Sequence, residues 1–421
     1  MQTVPAAVPE FIRDPKSTIE HVENISLLGN LTRSSENQDV QEKRSDLKNI
    51  KTKALVVKEA KADFKMQEVV LDEIRENEVL VEMKYSGICH TDIVVQKGLL
   101  PMIEFPAILG HEGAGYIRAL GSSVKDKSLR IGDPVLLSFA TCGTCTPCRT
   151  SHPAYCTTHA NVNQNGVRIA DRSTPARTTD GTSVRSQYFG QSSFAKMSVV
   201  NEMCVVKCDH PDKMDIYAPI GCGFQTGAGT VLNVLKPGKD DSIVVFGLGS
   251  VGLTTLMAAK YLDVGIIIAV DIVQEKLDMG KDLGATHTVN SRELTDVVEA
   301  IKEITKGGAA YAIDCTGIIS VIEVMIECLA PLGTAAIVGV PPSGKKISLD
   351  PLLFLLENKR LIGVIEGDSD PQKFIPTLVE LHSRGHFPIE KLCRTYPVEK
   401  VQDAIHDLHA GKVIKPVIEW S

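Results

Sequence analysis

Four cysteines fall within residues 142–156: Cys142, Cys145, Cys148 and Cys156, spaced C-x2-C-x2-C-x7-C. Thiols two residues apart can curl around one ion, and a fourth closes a tetrahedron of sulfur, the shell that a structural Zn²⁺ takes. An iron–sulfur cluster also uses closely spaced cysteines, so spacing alone leaves it open as a rival. Thr141, Gly143, Thr144, Thr146 and Pro147 fill and flank the gaps and suit a loop wrapped around a metal. Four ligands leave no free position. Such a site holds a lobe together and does no chemistry.

A second set is dispersed. Cys89 stands in SGICHTD, His111 and Glu112 in GHEGAG, and Cys222 in IGCGFQTG, each where a strand-like run meets a glycine-rich turn. Two thiolates and one imidazole leave zinc one open position, the arrangement of a catalytic Cys₂His site. Singly, the cysteines read equally as buried apolar thiols and the histidine as a satisfied core imidazole. The third signal is Gly247-x-Gly249-x-x-Gly252. It follows the strand-like SIVVF, opens the helix-like SVGLTTLMAAKYL and precedes IIIAV, which ends at Asp271. Such a turn lets backbone approach a pyrophosphate at a helix N-terminus. Asp271, 19 residues after Gly252, is placed for the adenosine ribose hydroxyls. Its charge repels a 2′-phosphate, so NAD is favoured over NADP. Lys276 reads either as a support for the ribose or as a solvated surface lysine.

The elements that must position these residues divide the chain by texture. Residues 1–50 hold one aromatic, Phe11, and no sustained period, which predicts a flexible extension. From residue 51 to 223, short alternating runs such as KALVV, EVLVEMKYSGIC and AGYIRALG predict a β-rich domain. Over 224–365, apolar strands (IVVFGLG, IIIAVD, YAIDCTG, GTAAIVGV) alternate with helix-like segments, which predicts an α/β doubly wound parallel sheet. Residues 366–421 turn mixed again, with a helical FIPTLVELHSRG and an end strand KPVIEW.

With 421 residues, 43% hydrophobic and 23% charged, the chain has globular composition and length for two or three domains. A net charge of −7, from 45 Lys+Arg against 52 Asp+Glu, disfavours a general binder of nucleic acid or of anionic membranes. Residues 216–235 and 242–259 carry no formal charge, but their glycines and polar residues read as buried soluble structure rather than membrane spans. Eleven cysteines with no secretory start argue against full disulfide pairing and for thiols in a reducing, cytoplasmic setting.

Taken together, residues 51–421 resemble the zinc-dependent medium-chain alcohol dehydrogenases. The motifs that carry the likeness are GHEGAGYI, CGTCTPCRTSHPAYC, FGQSSFA, GCGFQTGAGTVLNVLKPG, FGLGSVGL and IVGVPP, all in family order. SFATCGTC, HPAYC, FGQSSFA and EGDSDPQKFIP are most similar to the aryl- or benzyl-alcohol branch. The resemblance implies a GroES-like catalytic domain in two segments (51–223 and 366–421) around a Rossmann coenzyme domain. It implies two zinc ions per chain, a catalytic one on Cys89, His111 and Cys222 and a structural one on Cys142, Cys145, Cys148 and Cys156.

It further implies that Glu112 is the acid able to approach the catalytic metal. Asp92 would orient the ligand histidine, and Thr91 would take the proton of the alcohol. His90 and Lys415 match basic positions near the coenzyme pyrophosphate, and Ser138, Phe139, Val340 and Ile365 match the border of the substrate pocket. The implied reaction is NAD-linked hydride transfer between a primary alcohol, of benzyl type, and its aldehyde. The implied assembly is a homodimer or homotetramer. One departure stands out: Val94 occupies a position where many members have a proton-relaying histidine, which leaves water or His90 to complete the path. Aliphatic alcohol oxidation, glutathione-dependent formaldehyde oxidation and a non-catalytic zinc-binding module remain alternatives at this point.

Overall fold

In the computed structural model, which describes residues 48–421, short strands form three sheets. The extension expected over residues 1–50 lies outside the described residues up to residue 47; the first strand, Ile50–Val57, starts at its last position. Two sheets belong to the β-rich part. One has five strands, with Ile50–Val57 between Ala107–Ile108 and Lys65–Leu71. The other is built on Glu78–Gly87, which pairs with Gly113–Leu120 and Met197–Asn201. That strand is buried along most of its length, EVLVEMKYSG giving only three partly exposed side chains.

The chain's last strand returns to the same sheet. Lys415–Glu419 pairs antiparallel with Glu78–Gly87, bringing Val417 opposite Gly87, and it pairs in parallel with Cys393–Pro397. The C-terminal residues thus lie beside Ile88 and Cys89, over 300 positions away in sequence.

The third sheet has six parallel strands. Numbered along the chain from Ser242–Phe246, their spatial order is 3-2-1-4-5-6, the doubly wound order of a Rossmann fold. SIVVF is buried at every position because helices cover both faces of a parallel sheet. Its side chains alternate between two cores. Ile243 and Val245 join Leu253, Leu256 and Phe374 in one cluster, while Val244 and Phe246 join Ile268, Ile322 and Met325 in the other. A period of two dictates that split.

Of the two uncharged stretches, residues 216–235 break into a 3₁₀ turn, the helix Gly223–Gly229 and a π-helical turn Thr230–Leu235. The other is strand Ser242–Phe246 followed by helix Ser250–Tyr261. Among the described residues no helix is long and apolar enough to cross a membrane.

Candidate active site and metal centres

Cys89 ends the loop after Glu78–Gly87 and caps the helix His90–Gln96. Asp92, in the first turn of that helix, accepts the amide of Cys89 on Oδ2 at 3.0 Å. Its other oxygen accepts the amide of Gly110 at 3.1 Å and meets His111 Nδ1 at 3.0 Å. One buried carboxylate therefore fixes the cap, the turn before His111 and the imidazole. His111 Nε2, buried, has no hydrogen-bond partner. It shares a space with Cys89, Cys222 and Glu112 in which one ligand atom from each lies within 4.8 Å of the others. An orphaned ring nitrogen facing two thiols fits a metal ion.

The electrostatics favour a cation there. The Cys222 thiol beside it draws Cys89 well below its ordinary range, with His111 assisting and burial opposing. Cys222 is pushed well up, first by Cys89 and then by burial. The imidazole of His111 loses by burial but is held well above its usual value by Asp92 and Cys89. Phe189, in a left-handed conformation, stacks on the ring of His111 with centroids 4.5 Å apart.

Glu112 is buried with Lys415. The ammonium of Lys415 sits 2.9 and 3.0 Å from its two oxygens, and the amide of Gly223 donates to Oε1 at 3.2 Å. Burial lifts Glu112 to about 7, although Lys415 pulls the other way. Lys415, expected near a pyrophosphate, lines the cleft but has its charge engaged by Glu112.

The four clustered cysteines also converge. Cys145 Sγ lies 3.4 Å from Cys148 Sγ and 3.9 Å from Cys156 Sγ, and Cys142 and Cys148 are 4.0 Å apart. These are too long for disulfides and near the edge of a zinc tetrahedron, roughly 3.8 Å for Zn–S bonds near 2.3 Å. Against the cost of burial, the amides of Thr144 and Cys145 draw the Cys142 thiol down to about 5. The cluster fits a structural zinc.

Cys89, His90, Thr91, Val94, Cys222, Val340 and Ile365 line one cleft of ≈ 1070 Å³. The glycine turn enters the same cleft. Gly247 takes φ 88°, and a Cβ on Gly252 would lie 2.0 Å from the Gly247 carbonyl oxygen, so the turn needs glycine at both. The helix Ser250–Tyr261 starts there with Gly249 as its cap, presenting free amides to an anion. Asp271 and Lys276 line the cleft as well. The carboxylate of Asp271 is held by the amides of Leu248, Ile272 and Val273 at 2.7, 2.8 and 3.0 Å. Ser138 and Phe139, expected at the pocket border, are buried behind it. Ser138 Oγ is hydrogen-bonded to Gly221 and Gln225.

Three further polar residues belong to this site. Glu366 is buried, lines the cleft and is lifted to about 7 by burial. Gln191 accepts the amide of Gly113 and donates to the carbonyls of His111 and Ser138. Tyr188 packs edge-on to His111, with its buried hydroxyl unpaired. Gln191 and Tyr188 adjoin or lie in FGQSSFA and Glu366 opens EGDSDPQKFIP, so the only signal was membership of a motif.

The model of the alcohol dehydrogenase GroES-like domain matches residues 75–210, and that of the zinc-binding dehydrogenase matches residues 250–383. A geraniol dehydrogenase of Castellaniella defragrans is 34% identical over 371 residues, 88% of this chain and 98% of that protein. The chain belongs to the zinc-dependent medium-chain alcohol dehydrogenases. The crystal structure of a benzyl alcohol dehydrogenase from Acinetobacter calcoaceticus superposes with a TM-score of 0.84 at 39% identity, covering 88% of this chain and all of that one. An alcohol dehydrogenase zinc-binding domain protein from Burkholderia ambifaria gives 0.85 at 40% identity, covering 89% of this chain and again all of the other. As a member of this family the protein is an oxidoreductase acting on small-molecule alcohols, and the family's cofactors are zinc and NAD(P).

Proposed function

We propose that this dehydrogenase oxidises a primary aromatic alcohol of benzyl type reversibly, with NAD as the hydride acceptor. The observation that carries the reading is that Cys89, Cys222, the glycine turn and Asp271 open onto a single cleft. Cys89, His111 and Cys222 would hold the catalytic zinc, and Cys142, Cys145, Cys148 and Cys156 the structural one. Zinc, when bound, supplies Lewis-acid polarisation of a hydroxyl, and the dinucleotide supplies a hydride acceptor.

The chain's own residues do the rest. Asp92 locks the tautomer and direction of His111, which raises the imidazole's basicity as a ligand. The hydroxyl of Thr91, 3.6 Å from Cys89 Sγ and in the cleft wall, is placed to accept the alcohol proton. Val94 cannot pass it on, so the proton leaves through water or the exposed His90 at the same cleft. Ile88, Val94, Leu100, Val340 and Ile365 give the cleft apolar walls, which suit a ring. Asp271 selects NAD by repelling a 2′-phosphate. A homodimer or homotetramer in the cytoplasm, with boundaries near residues 223 and 366 between catalytic and coenzyme domains, completes the proposal.

The similarity to a geraniol dehydrogenase supports a second reading, in which the substrate is an allylic primary alcohol. Values of kcat/KM for benzyl alcohol, geraniol and ethanol, each with NAD and NADP, separate the possibilities. The proposal expects the order benzyl alcohol, geraniol, ethanol with NAD preferred. An ethanol preference would sink it.

A further inference from the structure

The turn Glu366–Asp368 is built against backbone preference. Glu366, Gly367 and Asp368 have φ of 50°, 64° and 47°, three left-handed residues in a row, of which only the middle one is glycine. Residues in that region are held by their surroundings and gather where a side chain must be aimed. The surroundings here come from three directions. Asn233 Nδ2 donates to the carbonyl of Gly367 at 3.0 Å. Gly229 backs onto the turn so closely that a Cβ there would lie 2.4 Å from the Gly367 oxygen. From the four-cysteine lobe, His152 Nδ1 meets Asp368 Oδ2 at 2.7 Å, and the Tyr155 hydroxyl donates to the carbonyl of Gly363 at 3.2 Å.

What this clamp delivers is the carboxyl of Glu366. Its Oε1 lies 3.8 Å from Cys222 Sγ, while Oε2 accepts from Gln225 Nε2 at 3.3 Å and Thr226 Oγ1 at 3.4 Å. Gln225 and Thr226 lie in the helix Gly223–Gly229, which starts immediately after Cys222. The carboxyl therefore bridges the thiol and the first turn of the helix that carries it. Asp92 does the same on the other side of the site, bridging His111 and the cap at Cys89. We propose that Glu366 is a positioning residue for Cys222, holding that sulfur in the geometry of the catalytic metal site, and that the four-cysteine lobe keeps Glu366 in place through Asp368. This rests on the reading of Cys222 as a metal ligand.

The test uses the full chain with cobalt in the catalytic position. It reads the thiolate-to-cobalt charge-transfer band and the rate at which that metal is lost to a chelator. Glu366→Ala should shift the band and speed loss by about tenfold, the scale on which partners of metal ligands act. Glu366→Gln, which keeps shape and hydrogen bonding, should restore both. Asp368→Ala, which frees the turn from His152, should move both readouts in the direction of Glu366→Ala. If Glu366→Ala does not fold, Glu366→Asp, which withdraws the carboxyl by one methylene, is expected to move them the same way. The proposal is overturned if the variant that removes or withdraws the carboxyl matches the parent in both readouts, or if Glu366→Gln departs as far as Glu366→Ala. A parent that binds metal only at the four-cysteine cluster would instead overturn the ligand reading itself, and metal counting on the parent distinguishes the two failures.

Discussion

The ammonium of Lys415 lies 2.9 and 3.0 Å from the two carboxylate oxygens of Glu112, with both side chains buried and 303 positions apart in sequence. The pair ties the residue beside His111 to the first residue of the last strand. It thereby joins the returning C-terminal segment to the candidate active site.

Lys415→Met leaves the Glu112 carboxylate buried without its cation. Breaking a buried pair from one side costs about 3–5 kcal/mol. The expected outcome is a fall in unfolding free energy of that size in denaturant titration. Glu112→Gln combined with Lys415→Met, which removes both charges, should recover most of it. A single variant as stable as the parent would contradict the pairing.

On the proposed function, Asp271 sets the coenzyme preference. Asp271→Asn removes the charge and leaves one acceptor oxygen, enough for the amides of Ile272 and Val273, which share Oδ1, but not for that of Leu248, which uses Oδ2. The NADP/NAD ratio of kcat/KM should rise at least about tenfold, the equivalent of about 1.4 kcal/mol. An unchanged ratio would show that Asp271 does not face the ribose.

On the proposed function, Val94 stands where a histidine would complete the proton path. Val94→His should shift the pH profile of kcat, because an imidazole titrates near neutrality and stands in the same cleft as Thr91. Thr91→Val should lower kcat by roughly 100-fold or more in either background. A profile unmoved by Val94→His would argue that the proton leaves by another route.

Arg168 is an internal staple of the β-rich part, with Nε 2.7 Å from Glu78 Oε1 and Nη1 3.0 Å from Asp72 Oδ2. Burial raises the Asp72 carboxyl, but the hydrogen bond and charge of Arg168 outweigh it and hold the group below its ordinary 3.8. A depressed acid contributes stability above its unfolded value that is lost as pH falls through the lower folded value. Arg168→Met should therefore cost about 3–5 kcal/mol at pH 7 by stranding buried Glu78. It should also lose less stability than the parent between pH 5 and pH 2. An equal loss in both proteins would remove Asp72 from the account.

What the sequence made legible follows from range. Cys142 to Cys156 and Gly247 to Gly252 are local patterns: the cysteine spacing narrows the chemistry to a metal or iron–sulfur site, and the glycines mean a dinucleotide turn because a strand precedes them and a helix follows. The alternation of SIVVF and IIIAV with helical segments carried the parallel sheet for the same reason. Cys89, His111 and Cys222 needed the family resemblance, because three separate turns must converge before their types mean anything. Beyond its place in EGDSDPQKFIP, Glu366 has no local sign: its position depends on a left-handed turn held by His152, Asn233 and Gly229, all distant in sequence. Lys415 was legible as a basic residue near the site, yet its partner Glu112 follows only from the register of Lys415–Glu419 on Glu78–Gly87. Ser138 and Phe139 are buried and do not line the cleft, a difference in exposure that a sequence position does not encode.

On the proposed function, two separate sets of side chains hold zinc, one closed and one with an open position. Zinc counted per chain in the purified parent and in His111→Ala, with the concentration of folded protein measured independently, tests it most directly. Two are expected in the parent and one in the variant. One zinc in the parent, or two in the variant, would contradict it.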